Sequence, residues 1–443
     1  MVGFTGHVEQ HRDFFLRNPT YSNLILYDWP LVFPDGNLFV YYFGFWLPPA
    51  LASKFLPQEW SPYILWLWVM TGMALFIGTM ALHFKKRILI FTIVLLALSS
   101  ITLSIAWSAE LAEITNYPLS NNKLLNYIFW DNPLMALRGA FNHIIPCLVF
   151  GAIFINKMLD RFDILFISSI LLICSPLGAL AFFPYLIFYF FQEEKKPFPL
   201  SPFWNVRTLL TMATACLLVL LTGLFLSGTG ADSIGALDVV LLFQKRPNAL
   251  SLRLLLALTA FLILNLGILA SLLYPVFRKS SLFWITICGL PVYSIVYIGS
   301  SFNELMLKSS GIFFFFLSIL CTQALYIMKG KRRLLLIIYL AFCSIYSFKL
   351  VGYQLRTFAV TPAAMQQNIQ SEWKGFLYHP EHASYWSLAK RPNQLEKSLY
   401  YSRSGESMEG IMGWAATGKH ANDAGQYPEE QLNRPETTVP QDK

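Results

Sequence analysis

Long apolar runs dominate this chain and set its fold class. About ten of them follow one another from Tyr41 to Tyr353, and each approaches the roughly 20 residues that a helix needs to cross a bilayer. Hydrophobic residues make up 55% of the sequence and charged residues 13%, which is typical of a membrane protein. Because backbone groups in lipid must be hydrogen-bonded within the protein, the sequence predicts an all-α polytopic transmembrane bundle of about ten spans.

Polarity divides the chain into three parts. Residues 1–36 are polar, residues 37–355 hold the apolar runs, and residues 356–443 form a small extramembrane tail whose last part is predicted to be disordered. Clear spans are predicted at about 61–83, 88–107, 135–157, 164–192, 206–228, 251–277, 282–299, 311–328 and 333–354.

One of these runs, 164–192, is too long for a single helix. Pro176 and Pro184 interrupt it, and proline removes a backbone donor, so a pair of short helices is predicted there. If this pair crosses the membrane twice, the basic loops between spans all fall on one side of the membrane.

The distribution of charge predicts the orientation. Residues 1–355 contain 24 basic and 15 acidic residues, whereas the tail contains 9 basic and 10 acidic residues. The basic excess lies in short loops such as 83–87, 277–280 and 329–333, which is the pattern of cytoplasmic loops and not of a nucleic-acid surface. We therefore expect a multi-pass protein of a bacterial cytoplasmic (inner) membrane, with no nucleic-acid partner and an extracytoplasmic tail.

Residues 1–36 face the same side as the tail only if the segment 37–55 does not cross. Prolines 48 and 49 interrupt this segment, and its tyrosines and tryptophans suit headgroup depth. A partly inserted or interfacial helix would satisfy this condition, whereas a crossing segment would place residues 1–36 in the cytoplasm.

Motifs of soluble enzymes are absent, so the candidate site residues are polar groups in the outward segments. Glu9, His11 and Asp13 lie within five residues of one another. A carboxylate beside the membrane can act as a general base on an acceptor hydroxyl or hold a divalent cation next to a diphosphate. A solvated loop end explains the same residues without a function.

Two later motifs offer positive charge near the membrane. Arg138 and His143 lie at the start of a span, where snorkelling of the arginine and a capping hydrogen bond of the histidine are the alternatives. Glu304 and Lys308 have i,i+4 spacing. They can pair with each other, or Lys308 can neutralise a lipid phosphate that Glu304 orients.

The order of several motifs resembles a group of bacterial and archaeal multi-pass proteins that belong with the GT-C glycosyltransferases. The motifs that carry this resemblance are, in order, "YDWPLVFPDGNLFVYYFGFWLPPALASK" (27–54), "FNHIIP" (141–146), "CSPLGALAFFP" (174–184) and "FNELMLKSS" (302–310). The family's first transmembrane helix and its usual outer-loop Asp have no clear counterpart here, and Lys308 stands in place of the family's Arg.

The resemblance implies transfer of a sugar from a polyprenyl-phosphate donor on the outer face of the membrane. Glu9 or Asp13 would be the base, and no cofactor beyond the divalent cation considered above is implied. A catalytically silent relative and a transporter or flippase of lipid-linked substrates are the alternatives. The residues expected to bind the substrate are His11, Asp28, Arg138, His143, Glu304 and Lys308. Four aromatic residues would form either the wall of a groove for the lipid or an anchoring belt at the interface: Trp29, Tyr41, Tyr42 and Trp46.

Overall fold

The structure is a computed structural model that describes residues 14–31, 42–57, 60–100, 130, 133–192, 206–227, 240–241, 258–297 and 304–360. These residues are almost entirely helical, which confirms the predicted fold class. A two-residue antiparallel pairing joins β1 (Val240–Leu241) to β2 (Val296–Tyr297). The helices within the described residues are α1 (Phe14–Leu26), α2 (Leu47–Lys54), α3 (Ser61–Phe84), α4 (Ile88–Ala97), α5 (Pro133–Ile155), α6 (Arg161–Cys174), α7 (Pro176–Gln192), α8 (Val206–Ser227), α9 (Leu258–Phe277, with a π-helical turn at Ile263–Gly267), α10 (Ser281–Ile295), α11 (Glu304–Ile327) and α12 (Gly330–Val360).

The chain is a multi-pass membrane protein. Among the described residues six helical segments are long and apolar enough to cross a bilayer, rather than the expected ten. The difference arises partly because the predicted spans 164–192 and 282–299 fold as shorter helices: α6, α7 and α10 have 14, 17 and 15 residues. The six segments are Ser61–Ala97, Pro133–Ile155, Val206–Leu224, Leu258–Phe277, Lys308–Ile327 and Gly330–Gly352.

The first of these segments contains a turn. Lys85 has a φ of 50°, which ends α3, and a 3-10 turn over Lys85–Arg87 leads into α4. The rings of Phe84 and Phe91 then stack with their centroids 4.6 Å apart, and Phe76 lies 6.3 Å from Phe91. Because Phe91 contacts two successive levels of α3, α4 runs back along that helix.

The predicted pair of short helices at 164–192 is confirmed as the α6–α7 hairpin. The hydroxyl of Tyr189 donates to the carbonyl of Leu159 at 3.4 Å, so the hairpin begins and ends at the same end of the bundle. With 14 residues, α6 is about 21 Å long, which is shorter than the roughly 30 Å hydrocarbon core. The hairpin therefore turns back at Ser175 before it reaches the far side.

The bundle has two distinct ends. Asn156, directly after α5, donates its amide N–H to the carbonyl of Thr79 on α3 at 3.1 Å, so these helices end at the same side and run in parallel. We call the opposite side, where α1 and α2 pack beside the start of α3, the α1 end. We call the side where α3 and α11 finish the basic end. The Arg87 guanidinium lies there, with its Cζ 4.0 Å from the ring centroid of Tyr326.

Helices α5 and α11 form the centre of the bundle. Their apolar windows are 72% and 78% buried, against 6% for the lipid-facing α8. Glycine permits this close packing: a Cβ on Gly151 of α5 would lie 2.6 Å from the ring of Phe315 on α11, and one on Gly72 of α3 would lie 2.6 Å from Ile145 of α5. α5 is thus held between neighbours on both sides.

The described part of the segment 37–55 forms no span. Residues 42–46 make a turn into α2, and α2 has eight residues, or a length of about 12 Å. It packs against α1 and α3 at the α1 end. Eight residues are too few to cross the hydrocarbon core, so α2 does not span it by itself.

Candidate functional site

The candidate site lies where α5 is broken. Ala140 has φ −137° and ψ 38°, so it interrupts the helix, and a second helical portion begins after it. Pro146 has no N–H, so it cannot donate the α-helical hydrogen bond to the main-chain carbonyl of Asn142. Breaks of this kind in membrane helices leave backbone polar groups that need other partners, and they often line binding sites.

Asn142 immediately follows the break and is fully buried, with an exposed fraction of 0%. Neither its Nδ2 nor its Oδ1 has a hydrogen-bond partner among the residues that the structure describes. Buried amides are nearly always hydrogen-bonded, and each unsatisfied polar group costs about 1–3 kcal/mol. Within the described part of the chain, both polar atoms of this amide are therefore free to form hydrogen bonds.

His143, the next residue, is held by the α6–α7 hairpin. Its Nδ1 lies 3.1 Å from Oγ of Ser175, the residue at the hairpin turn, and its side chain is 4% exposed. The ring of Tyr42 lies over it, with the centroids 4.7 Å apart. Thus a residue from α5, one from the hairpin and one from the segment before α2 meet at this point.

Arg17 of α1 supplies a positive charge to the same turn of α5. Its side chain is 4% exposed, and its Cζ lies 5.8 Å from the ring centroid of Phe141, which directly precedes Asn142. A buried guanidinium is costly to desolvate, so its place in a membrane protein indicates interaction with an anion or a set of acceptors. We call Arg17, Asn142, His143 and Ser175 the polar cluster.

Aromatic side chains cover the polar cluster at the α1 end. Trp46 packs edge-to-face on Phe141 at 5.2 Å and lies 5.9 Å from Tyr21 of α1. The Tyr21 hydroxyl lies 2.9 Å from Oγ of Ser53 and donates to the carbonyl of Ser61 at 3.2 Å. Burial raises the pKa of Tyr21, so the phenol keeps its proton and both hydrogen bonds at neutral pH.

The sequence-predicted residues on α5 and α11 lie near this cluster. His143 is part of it, and Arg138 is half-buried on the other side of the break. Glu304 begins α11 and Lys308 lies half-buried one turn later, as their i,i+4 spacing predicts. The first turns of α11 reach α5, because a Cβ on Gly311 would lie 2.6 Å from Ile144.

The aromatic residues and Asp28 separate into different environments. Trp29 is exposed and donates its indole N–H to the carbonyl of Leu24 at 2.8 Å, and Asp28 beside it is also exposed. Trp46 is 1% exposed and packs in the core, and its role beside a lipid groove stays a prediction. Glu9, His11, Asp13 and Tyr41 lie outside the described residues, and their roles stay predictions.

Sequence reasoning missed Arg17 and Ser175. The spacing of Arg17, Thr20, Tyr21 and Leu24 is that of one helix face, and all four are buried. This spacing is compatible with a helix such as α1, although residues 1–36 are interpreted above only as a polar segment. Ser175 carried no signal beyond its place immediately before Pro176.

The residues that the structure describes contain no group of three or more His, Cys, Asp and Glu side chains able to hold a metal ion. The polar cluster instead offers an amide, an imidazole, a hydroxyl and a guanidinium. These groups suit hydrogen bonding to hydroxyls and to an anionic oxygen.

Comparison of the chain with protein-family models, with curated proteins and with solved structures gave no significant match.

Proposed function

We propose that this protein is a membrane glycosyltransferase that moves a sugar from a polyprenyl-phosphate donor to an acceptor on the face of the membrane at the α1 end. The observation that carries the proposal is the fully buried Asn142 amide, without a partner among the described residues, next to a buried guanidinium at a helix break. A sugar phosphate combines neutral hydroxyls with an anionic group, and this pair of side chains complements both.

The reaction requires stabilisation of the leaving phosphate. Cleavage of the bond between the sugar and the lipid phosphate leaves negative charge on the phosphate, and a preorganised cation nearby lowers that barrier. Arg17 would bind this phosphate, and the Asn142 amide would bind sugar hydroxyls. Arg138 and Lys308, half-buried at the same end, would bring further positive charge to the prenyl-phosphate side.

The acceptor hydroxyl must lose a proton as it attacks the anomeric carbon. Asp13 immediately precedes α1 in the sequence, four residues before Arg17, and Glu9 lies four residues earlier still. Either carboxylate would take that proton as the general base, a role that commonly contributes a factor of about 10²–10⁴ to the rate.

Release of polyprenyl phosphate from hexosyl- and pentosyl-phosphopolyprenols tests the proposal in membranes that contain the overproduced protein and its acceptors. We expect Asn142→Ala to slow release at least tenfold. Asn156→Ala is the matched control: this asparagine directly follows the same helix, but its amide is occupied by the carbonyls of Thr79 and Ala152. Glu9→Gln and Asp13→Asn identify the base by a loss of about 10²-fold or more.

Two results would overturn the proposal. One is a wild-type protein that releases no polyprenyl phosphate from either class of donor, and the other is equal release by the Asn142→Ala and Asn156→Ala variants. Movement of an intact donor across the membrane without cleavage would instead identify a transporter.

A further inference from the structure

A second polar site lies at the basic end of the bundle, on the far side from the polar cluster. A cleft of about 520 Å³ opens there between the turn that follows α3 and the last turns of α11. Three consecutive cations, Lys85, Lys86 and Arg87, line it together with the polar side chains of His83 and Gln323. None of the described residues that line the cleft is a carboxylate, so its charge is uniformly positive.

The cleft is a built site and not a loose set of lysines. The Arg87 guanidinium lies over the ring of Tyr326, with 4.0 Å from Cζ to the centroid, and this cation–π contact ties the turn to α11. Nε2 of Gln323 lies 3.5 Å from Nε2 of His83, which makes a second link between the same two helices. Two contacts between elements 240 residues apart in sequence thus fix the shape of the cleft.

The turn carries a cation where its backbone favours glycine. Lys85 has a φ of 50°, a conformation that glycine adopts without strain and that lysine rarely adopts. Strained backbone of this kind is concentrated at binding and catalytic sites. Further positive charge follows directly after α11, at Lys329 and in the first turn of α12.

Exposed apolar side chains flank the cleft. Leu82 and Leu89, which flank the basic turn, are 62% and 68% exposed, and Ile327 at the end of α11 is 57% exposed. In a membrane protein such side chains face acyl chains. An anionic group that enters the cleft can therefore keep its hydrocarbon tails against the same helices, which a free anion in water cannot do.

We propose that this cleft binds the phosphate headgroup of an anionic phospholipid from the leaflet at the basic end. Lys86 and Arg87 donate charge-assisted hydrogen bonds to the phosphate oxygens, and Tyr326 positions Arg87. A basic pocket between transmembrane helices, next to exposed apolar surface, is the arrangement by which membrane proteins retain such lipids.

Native mass spectrometry of the protein in a neutral maltoside detergent tests the proposal, with dioleoyl phosphatidylglycerol and dioleoyl phosphatidylcholine as probes. We expect the wild type to retain phosphatidylglycerol preferentially. We expect the double variant Lys86→Gln/Arg87→Gln to lower the apparent affinity for it roughly tenfold or more. The matched control is Arg278→Gln/Lys279→Gln, which removes the same charge from another short loop and should change that affinity less than threefold.

A positioning role for Tyr326 has its own readout. Tyr326→Leu leaves every charge in place, so a fall in phosphatidylglycerol affinity there, with thermal unfolding unchanged, indicates that the ring orients Arg87. Equal loss in the two double variants would overturn the proposal, since it would reveal only general attraction to positive charge. Equal retention of the two lipids by the wild type, or displacement of phosphatidylglycerol by millimolar inorganic phosphate, would also overturn it.

Discussion

Replacement of Asn142 by leucine should stabilise the protein and impair its function. Leucine has nearly the same branched shape as asparagine, and it would place two methyl groups where the amide N and O have no partners among the described residues. An unsatisfied buried polar group costs about 1–3 kcal/mol, so removal of both, less some loss of fit, should raise the free energy of unfolding by about 2 kcal/mol. Most substitutions at fully buried positions destabilise, which makes the predicted sign informative.

Asn265 provides the matched comparison. It is also a buried asparagine within a helix, but its Oδ1 accepts from Oγ of Ser100 at 2.7 Å and its Nδ2 donates to the carbonyl of Phe261 at 2.7 Å. Asn265→Leu removes both hydrogen bonds and should lower the free energy of unfolding by about 2–3 kcal/mol. Thermal unfolding of the two variants in the same detergent should therefore shift in opposite directions.

A decrease in melting temperature for Asn142→Leu, similar to that of Asn265→Leu, would refute this reasoning. It would mean that the Asn142 amide is hydrogen-bonded within the protein. Addition of a polyprenyl phosphate extends the measurement, because a ligand that binds only the folded state raises its stability. We expect this increase in the wild type and not in Asn142→Leu.

Three further substitutions test local features by thermal unfolding of the purified protein. Lys157 has a φ of 50° just after α5, so Lys157→Gly should raise the free energy of unfolding by about 1 kcal/mol, whereas Lys157→Ala should not raise it. An equal gain from alanine would show that the backbone conformation is not the cause. Gly151→Ala should lower the free energy of unfolding by about 1–3 kcal/mol, because the new Cβ would lie 2.6 Å from Phe315. Gly78→Ala, whose Cβ would have nothing within 4 Å, should leave that free energy unchanged or raise it. The reverse order would contradict tight packing between α5 and α11. The Asp160 carboxylate accepts hydrogen bonds from two backbone N–H groups at the start of α6. Asp160→Ala should therefore lower the free energy of unfolding by about 1 kcal/mol, and Asp160→Asn should lower it less. If neither variant changes it, Asp160 does not stabilise the helix as a cap.

The features of the fold that follow from local sequence could be predicted. Runs of apolar residues gave the helical spans, and Pro176 placed the break between α6 and α7 correctly. Six crossing segments are found among the described residues, and the expected ten are not confirmed, because apolar length alone does not reveal whether a helix is long enough to cross the bilayer. That distinction depends on contacts such as the one between His143 and Ser175, which only the folded bundle brings together.

The polar cluster was accessible only in part. His143 was recognisable as a polar residue at the start of an apolar run, but Arg17 lies 125 residues before Asn142 and belongs to a segment whose average polarity hid a helix. A helix face that mixes Arg17, Tyr21 and Leu24 has no clear apolar stripe, because its buried side includes polar groups. Periodicity of hydrophobicity therefore fails to reveal a helix whose buried face contains polar residues, and only the periodicity of burial shows that face.

The polar cluster and the basic cleft lie toward opposite ends of the bundle, and α3 connects the two ends. α3 has 24 residues and is about 36 Å long, so no single headgroup can occupy both sites. Coupling between them would have to pass through helices that both sites share, of which α11 is the most direct: its first turns pack on α5 near Ile144, and its last turn carries Tyr326. Close packing between α5 and α11, as at Gly151 and Phe315, makes that path rigid. An anionic lipid in the cleft would therefore act on the polar cluster mainly by fixing the position of α11, and Tyr326→Leu would separate this effect from any change in charge.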